Sequence, residues 1–239
     1  MTTSTGLRAR VRAALIEEIK NEARRQIDQV GAQALSLRSV ARRLDMVSSA
    51  IYRYFPSRDQ LLTALIIDAY NALGGAIEAA DAACKSDDFG ARWIADCRAV
   101  RSWALEHPQE YGLLFGSPVP GYHAPDDTVG PASRATFVFA RLIQDAAQSG
   151  ALSNTPVTPM DSTRVANMIA SVRLIEKLMS DVADDAVVRA LIAWTQLFGL
   201  VSFELYGHLF GVVDDLDGFF DTSVTQMGVF VGLHIDDVS

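Results

Sequence analysis

A chain of 239 residues, 49% of them hydrophobic, carries enough apolar side chain for a sizeable core, which excludes a wholly disordered protein. Two cysteines, Cys84 and Cys97, and four histidines without metal-ligand spacing exclude a disulfide framework and a structural metal site, so both cysteines read as buried free thiols. The formal charge of −8 argues against a nucleic-acid partner only if it is evenly spread.

Apolar residues recur at helical spacing throughout and strand signals are nearly absent, so the fold class is all-α. The first helix is expected over residues 7–30, stopping at Gly31. Two short helices follow over 37–44 and 48–55, joined by a three-residue turn. Pro56 and Ser57 open a long helix to residue 83, with Ser57 and Gln60 placed as a capping box. Further helices are expected over 88–106, 108–115, 132–149, 161–181, 184–210 and 217–233, with proline-bearing loops at 117–131 and 151–160. His107, just before Pro108, reads as a helix boundary. No segment joins a basic N-terminal end to a long apolar run, because Glu17 and Glu18 follow Leu15 and Ile16. The longest charge-free helical stretch, 190–203, falls short of the roughly 18 residues of a membrane span. A soluble, cytoplasmic protein without membrane association is expected.

The chemistry concentrates in "SSAIYRYFPSR", residues 48–58. In the helix before it, Leu37, Val40, Ala41 and Leu44 form one apolar stripe, which turns Arg38, Arg42 and Arg43 away from it. In the next, Val47, Ile51 and Phe55 are spaced by four and are assigned the inner face, so that Ser48, Ser49, Tyr52 and Arg53 project outward and Tyr54 lies at the border. Two short amphipathic helices with basic outer faces and a tight turn make a helix-turn-helix unit able to enter a major groove. Small residues at the start of the second helix, Ser48, Ser49 and Ala50, let its backbone approach base edges, while tyrosine and arginine reach phosphates. The charge agrees: residues 1–60 hold eleven Lys or Arg and six Asp or Glu (11 − 6 = +5), whereas 61–239 hold ten and twenty-three (10 − 23 = −13). A DNA-binding domain over 1–60 and an effector-binding and dimerisation domain over 61–239 are expected.

The stretch "LSLRSVARRLDMVSSAIYRYFPSRDQLLTAL", residues 35–65, resembles the DNA-binding region of TetR-type transcriptional regulators, including Tyr52-x-x-Phe55 followed by Pro56, Ser57 and Arg58. The resemblance implies a homodimer on a double-stranded operator and a small-molecule effector. It places Arg38, Ser48, Ser49, Ala50, Tyr52 and Tyr54 at DNA, with Arg58 standing where the family usually has a lysine that contacts phosphate. Asp45 replaces the family's common glycine after the first of the two helices; it tolerates the left-handed conformation but sets a carboxylate near the phosphates. In the body, "HPQEYGLLFGSPVPGY" (107–122) and "AWTQLFGLVSFELYGHLFG" (193–211) resemble a subgroup with a Trp-His-Gly signature. Phe198 stands where that signature has histidine, so a histidine contact to effector does not carry over.

The helix of 184–210 is apolar on nearly all sides between Leu191 and Phe203, and the last helix sets Phe219, Phe220, Met227 and Phe230 at near-helical spacing. Leu191, Phe198, Phe203, Phe219, Phe220, Met227 and Phe230 are therefore expected at a four-helix dimer interface, with plain core packing as the competing reading. Trp93, Trp103, Tyr111, Phe115, Tyr122, Phe137, Met168 and Trp194 are the candidates for an apolar effector pocket, against a core role for most. No metal-ligand spacing, nucleophile elbow or phosphate loop occurs, so no cofactor, metal or catalytic residue is assigned. The leading expectation is a ligand-responsive regulator, a repressor that an apolar effector releases from a palindromic operator. Two alternatives are a helical small-molecule-binding protein that has lost DNA binding and an α-helical enzyme, the latter distinguished by turnover of its ligand.

Overall fold

The computed structural model describes residues 3–153, 161–174 and 179–236. Among these, ten α-helices and no strand form: α1 (Thr3–Val30), α2 (Leu37–Arg43), α3 (Ser48–Ile51), α4 (Arg58–Ala83), α5 (Phe89–Glu106), α6 (Pro108–Phe115), α7 (Val129–Gln148), α8 (Ser162–Leu174), α9 (Asp184–Leu205) and α10 (Leu216–Val231). The all-α expectation holds.

Local chemistry sets the boundaries. Gly31, at φ 79°, closes α1 in a conformation that a Cβ would disfavour. The Gln60 N–H donates to Ser57 Oγ at 3.1 Å, as expected of a cap at the start of α4. His107 is the N-cap residue of α6, with Pro108 following inside the first turn. α3 is shorter than expected, ending at Ile51; the chain continues in turns in which the N–H of Tyr54 donates to the Ile51 carbonyl at 2.9 Å. Pro56 explains this, since it lacks an N–H and pushes Phe55 away from helical geometry. α7 begins at Val129, earlier than expected, because Pro131 is tolerated in a first turn. The helix expected over 161–181 is described only as α8, and 175–178 lie outside the described residues, as do 154–160 of the expected loop.

The chain divides into two compact units. The first comprises Met1–Asn71 and His107–Ala132, so it extends past residue 60 and takes in α6 and the loop after it. Its core joins Ile19, Ala23 and Ile27 of α1, Leu37, Val40 and Ala41 of α2, Ile51, Phe55, and Leu61, Leu62 and Leu65 of α4. Each buried Leu, Ile, Val or Phe of this set contributes about 1.5–3 kcal/mol before the cost of ordering. Lys20 anchors α1 to α4 by an ion pair to Asp68 at 2.7 Å, and Arg24 reaches both Asp68 (2.8 Å) and Glu110 (3.2 Å).

The second unit comprises Ala72–Glu106 and Ser133–Ser239. Its core draws Trp93, Cys97, Val100 and Trp103 from α5, Val138, Phe139 and Leu142 from α7, Val187, Leu197 and Val201 from α9, and Phe220, Val224 and Val231 from α10. Buried Arg92 is paired with Asp81 at 2.7 Å and Asp145 at 3.1 Å. Cys97 is buried as expected, whereas Cys84, near the end of α4, is only half-buried.

The membrane expectation needs one correction. By length and mean composition, two helices, Arg58–Ala83 and Asp184–Leu205, are apolar enough to cross a membrane. A charge-free-run criterion misses them because a few charged residues interrupt each. Both bury apolar residues inside the protein, Leu61, Leu65, Leu73 and Ile77 on α4 and Val187, Leu197 and Val201 on α9.

Candidate nucleic-acid interface and ligand cavity

The helix pair α2–α3 owes its shape to one residue between the helices. Asp45, at φ 52°, is the sole non-glycine residue with positive φ among those described. It reverses the chain so that the Met46 N–H reaches back to the Ala41 carbonyl at 2.9 Å. Aspartate adopts this left-handed conformation more readily than bulkier residues, as expected of its short polar side chain.

With Leu37, Val40, Ala41, Ile51 and Phe55 buried, Arg38, Arg42, Arg43, Ser48, Ser49, Tyr52 and Arg53 are left exposed, and Ala50 and Tyr54 lie at the border. Tyr52 is 41% exposed, so its ring and hydroxyl stand clear of the core. Of the seven residues expected at DNA, Arg38, Ser48, Ser49 and Tyr52 are exposed, and Ala50, Tyr54 and Arg58 are half-buried.

Arg58, 30% exposed at its side chain, donates from Nη2 to the carbonyls of Ala32 (3.0 Å) and Gln33 (3.1 Å) and lies 3.7 Å from the Asp59 carboxylate. It ties α4 to the short turn after α1, an arrangement that needs a partner 25 residues upstream and so leaves no local signal.

Val47 is a second correction. Assigned to the inner face, it is instead 73% exposed, because it precedes α3 with extended backbone (φ −61°, ψ 129°) and so escapes the helix's four-residue spacing. An apolar side chain therefore projects beside Ser48 and Ser49. Arg12 is an addition that the sequence does not suggest. From α1 it lies over the Tyr54 ring, 5.1 Å from the centroid, and donates to the Arg53 carbonyl at 3.3 Å, which brings a further cation to this surface.

The eight candidates for an effector pocket separate. Trp93 and Trp194 line a cleft of the second unit, with Phe139 between them; the Phe139 ring stands edge-on to Trp93 (5.5 Å, 81°) and to Trp194 (5.6 Å, 79°). Aliphatic walls come from Ile143, Val187, Leu191 and Leu197, and the free space is about 550 Å³, part of it open to solvent. Trp103 is instead core, 5% exposed and absent from the lining. Tyr111, Phe115 and Tyr122 belong to the first unit, where Tyr111 and Phe115 pack at 4.9 Å and the Tyr122 and Thr63 hydroxyls are 2.9 Å apart. Phe137 and Met168 are surface residues, 36% and 51% exposed. Each candidate outside the cleft shares a helix or loop with others that face inward, and composition alone does not separate a cavity wall from a filled core. Phe139, not among the eight, is the ring at the centre.

The expected dimer residues divide likewise. Phe198, Phe220 and Met227 are at most 9% exposed, held inside the chain's own core, and are corrected to core residues. Leu191, Phe203 and Phe219 are exposed, and Phe230 is half-buried. With them on the surface are Ile192, Tyr206, Phe210 and Val212, of which Phe210 is 92% exposed.

Comparison with known proteins joins these observations. Residues 19–65 match the family model described as "Bacterial regulatory proteins, tetR family", and residues 93–227 match "Tetracyclin repressor-like, C-terminal domain". The chain is 38% identical over 208 residues to the HTH-type transcriptional regulators Rv1816 of Mycobacterium tuberculosis H37Rv and Mb1846 of Mycobacterium bovis, an overlap covering 86% of this chain and 87% of each relative. It is also similar to the solved structure of the regulatory-protein candidate SCO4313 (TM-score 0.73, 35% identity, 92% of this chain and 97% of the other). A bacterial regulatory protein from Rhodococcus RHA1 shares the fold at 20% identity (TM-score 0.61, 92% and 97% coverage).

Proposed function

The chain belongs to the tetR family of bacterial regulatory proteins, DNA-binding transcriptional regulators rather than enzymes, and from that premise we propose that it is a cytoplasmic repressor, released from its operator by a small apolar effector. The observation that carries the DNA-binding half is the outward set of Arg38, Ser48, Ser49 and Tyr52 on a helix pair that buries Leu37, Val40, Ala41 and Ile51. Arg38 and Tyr52 grip phosphates, and Ser48, Ser49 and Ala50 face bases; Arg58 supports the fold behind them.

A helix as short as α3 reads only a few base pairs. Two copies related by a twofold axis read a palindrome with half-sites about 34–36 Å apart, which supports a homodimer. The exposed Phe203, Tyr206, Phe210, Val212 and Phe219 supply an apolar surface for it. The aromatic cleft of the second unit is the effector site. A ligand that prefers one separation of the two DNA-reading heads shifts the pair away from the spacing the operator requires, and occlusion of the promoter ends.

The test is a mobility shift with DNA from the gene's own upstream region. One retarded complex of dimer stoichiometry, weakening steeply with salt, is expected. Binding that is insensitive to salt, or no binding to any upstream fragment, overturns the reading.

A further inference from the structure

The cleft beside Trp93 and Trp194 specifies a chemical class. Resting on the effector reading above, we propose that this site takes an uncharged aromatic compound and that it acts on α10 through Trp93.

The exclusion of charge is direct. Among the described residues, eleven line the cleft; none has an ionisable side chain, and the polar groups are the Thr136 hydroxyl and the indole N–H groups of Trp93 and Trp194. The indole N–H of Trp93 is already committed, donating to the Val224 carbonyl at 2.8 Å. An ionised ligand would lose its hydration with only the Thr136 hydroxyl and the Trp194 indole N–H in return, and no opposite charge, which disfavours it. A neutral ligand with a single hydroxyl, matched to Thr136, loses little.

The preference for a ring rests on what forms the walls. Phe139 stands edge-on to both tryptophans, so a row of three rings borders the space, and Phe198, outside the lining, backs Trp194 at 4.5 Å. The small side chains of Ala140 and Ala190 leave the room in front of that row. A flat ring inserted there gains aromatic pairing beyond its buried area, which a saturated ring of equal size does not.

The link to α10 lies on the far side of Trp93. A Cβ added at Gly228 would come within 2.9 Å of the Trp93 ring, so α10 packs directly onto the indole, and the bond to Val224 fastens it there. Any displacement of Trp93 by a ligand is therefore passed to α10, the helix that carries Phe219 at its exposed side and Phe220 in the core. A close-packed contact of this kind transmits a shift rather than absorbing it.

The experiment uses the full chain and three probes of matched shape: 1-naphthol, 1-naphthoate and decahydro-1-naphthol, titrated by calorimetry. One site per chain is expected for 1-naphthol, at least tenfold tighter than for either other probe. Ala190→Phe, which fills the space, should weaken 1-naphthol at least tenfold with an unchanged thermal melt. Ala140→Phe serves if the first variant does not fold, and quenching of the combined Trp93 and Trp194 fluorescence in a Trp103→Phe chain reports the same binding without filling the cleft. Equal or tighter binding of the carboxylate or the saturated alcohol overturns the proposed class, as does binding that neither filling variant affects. The two readings fail separately. If 1-naphthol binds and the DNA complex is indifferent to it, regulation through this site is wrong and the ligand class stands; if an anionic or saturated compound occupies the cleft and releases DNA, the class is wrong and the regulation stands.

Discussion

The indole nitrogen of Trp93 on α5 lies 2.8 Å from the carbonyl oxygen of Val224 on α10, in the buried interior of the second unit. One ring thus borders the aromatic cleft on one side and holds α10 on the other. Trp93→Phe keeps an aromatic wall and deletes the bond. The variant should unfold in urea with about 1 kcal/mol less stability, the net worth of one such hydrogen bond. It should also bind 1-naphthol within a few-fold of the parent while answering it less on DNA.

Arg58 and Tyr52 make a contrast. Tyr52→Phe removes a hydroxyl that stands clear of the core, so urea stability should stay within about 0.5 kcal/mol while operator affinity falls for all sequences alike. Arg58→Met removes a charged donor from two backbone carbonyls, and stability should drop by about 1–2 kcal/mol. Fluorescence anisotropy across a salt series completes the set: Arg38→Ala should reduce the slope of log affinity against log salt by about one.

Val47 offers an apolar contact next to hydroxyl-bearing neighbours, and the thymine methyl is the apolar feature of the major groove. Val47→Ser should leave the melt unchanged and weaken the operator by about 1 kcal/mol per half-site, the worth of one or two buried methyl groups. A base-substitution scan should show the loss confined to one position per half-site. A uniform loss would place Val47 away from the bases.

The surface around Phe210 is expected to be covered by a second copy. Phe210→Glu should yield a monomer by light scattering and reduce operator affinity, with the helical spectrum intact. Phe220→Ala, by contrast, hollows the core and should lower stability by about 3–5 kcal/mol. A dimer that survives Phe210→Glu would move the interface elsewhere.

Asp96 is fully buried, neither carboxylate oxygen has a hydrogen-bond partner among the described residues, and burial, reinforced by Asp81 and partly offset by Arg92, pushes its pKa up to about 8. The folded protein then binds a proton that the unfolded chain, with an ordinary carboxyl near 3.8, releases. Stability from this group is therefore greatest in acid and is lost as pH rises from about 4 to 8, at up to about 1.4 kcal/mol per pH unit. Asp96→Asn, which mimics the protonated acid, should flatten that part of the stability profile in urea titrations at several pH values.

Much of the first unit is legible in the sequence. Leu37, Val40, Ala41 and Ile51 at helical spacing fix a buried face, and the arginines opposite have nowhere to go but outward. Asp45 announces the turn by its chemistry, and Ser57 announces the start of α4. The misplaced residues share one cause: spacing alone puts Val47 on an inner face and Phe198 and Phe220 at an interface, blind to where the helix begins and to what packs against it.

The sequence by itself determined the helices, their apolar sides and the concentration of cationic charge near the N-terminus, because these depend on residues within a few turns of one another. Only the tertiary structure decided that Arg58 reaches the Ala32 and Gln33 carbonyls, that Arg12 joins Tyr54, and that Trp93, Phe139 and Trp194, far apart in the chain, frame one cleft. Periodicity states which side of a helix avoids water; it does not state which distant segment arrives to cover it, and whether an apolar side chain ends in a core, a cavity or a subunit contact depends on that arrival.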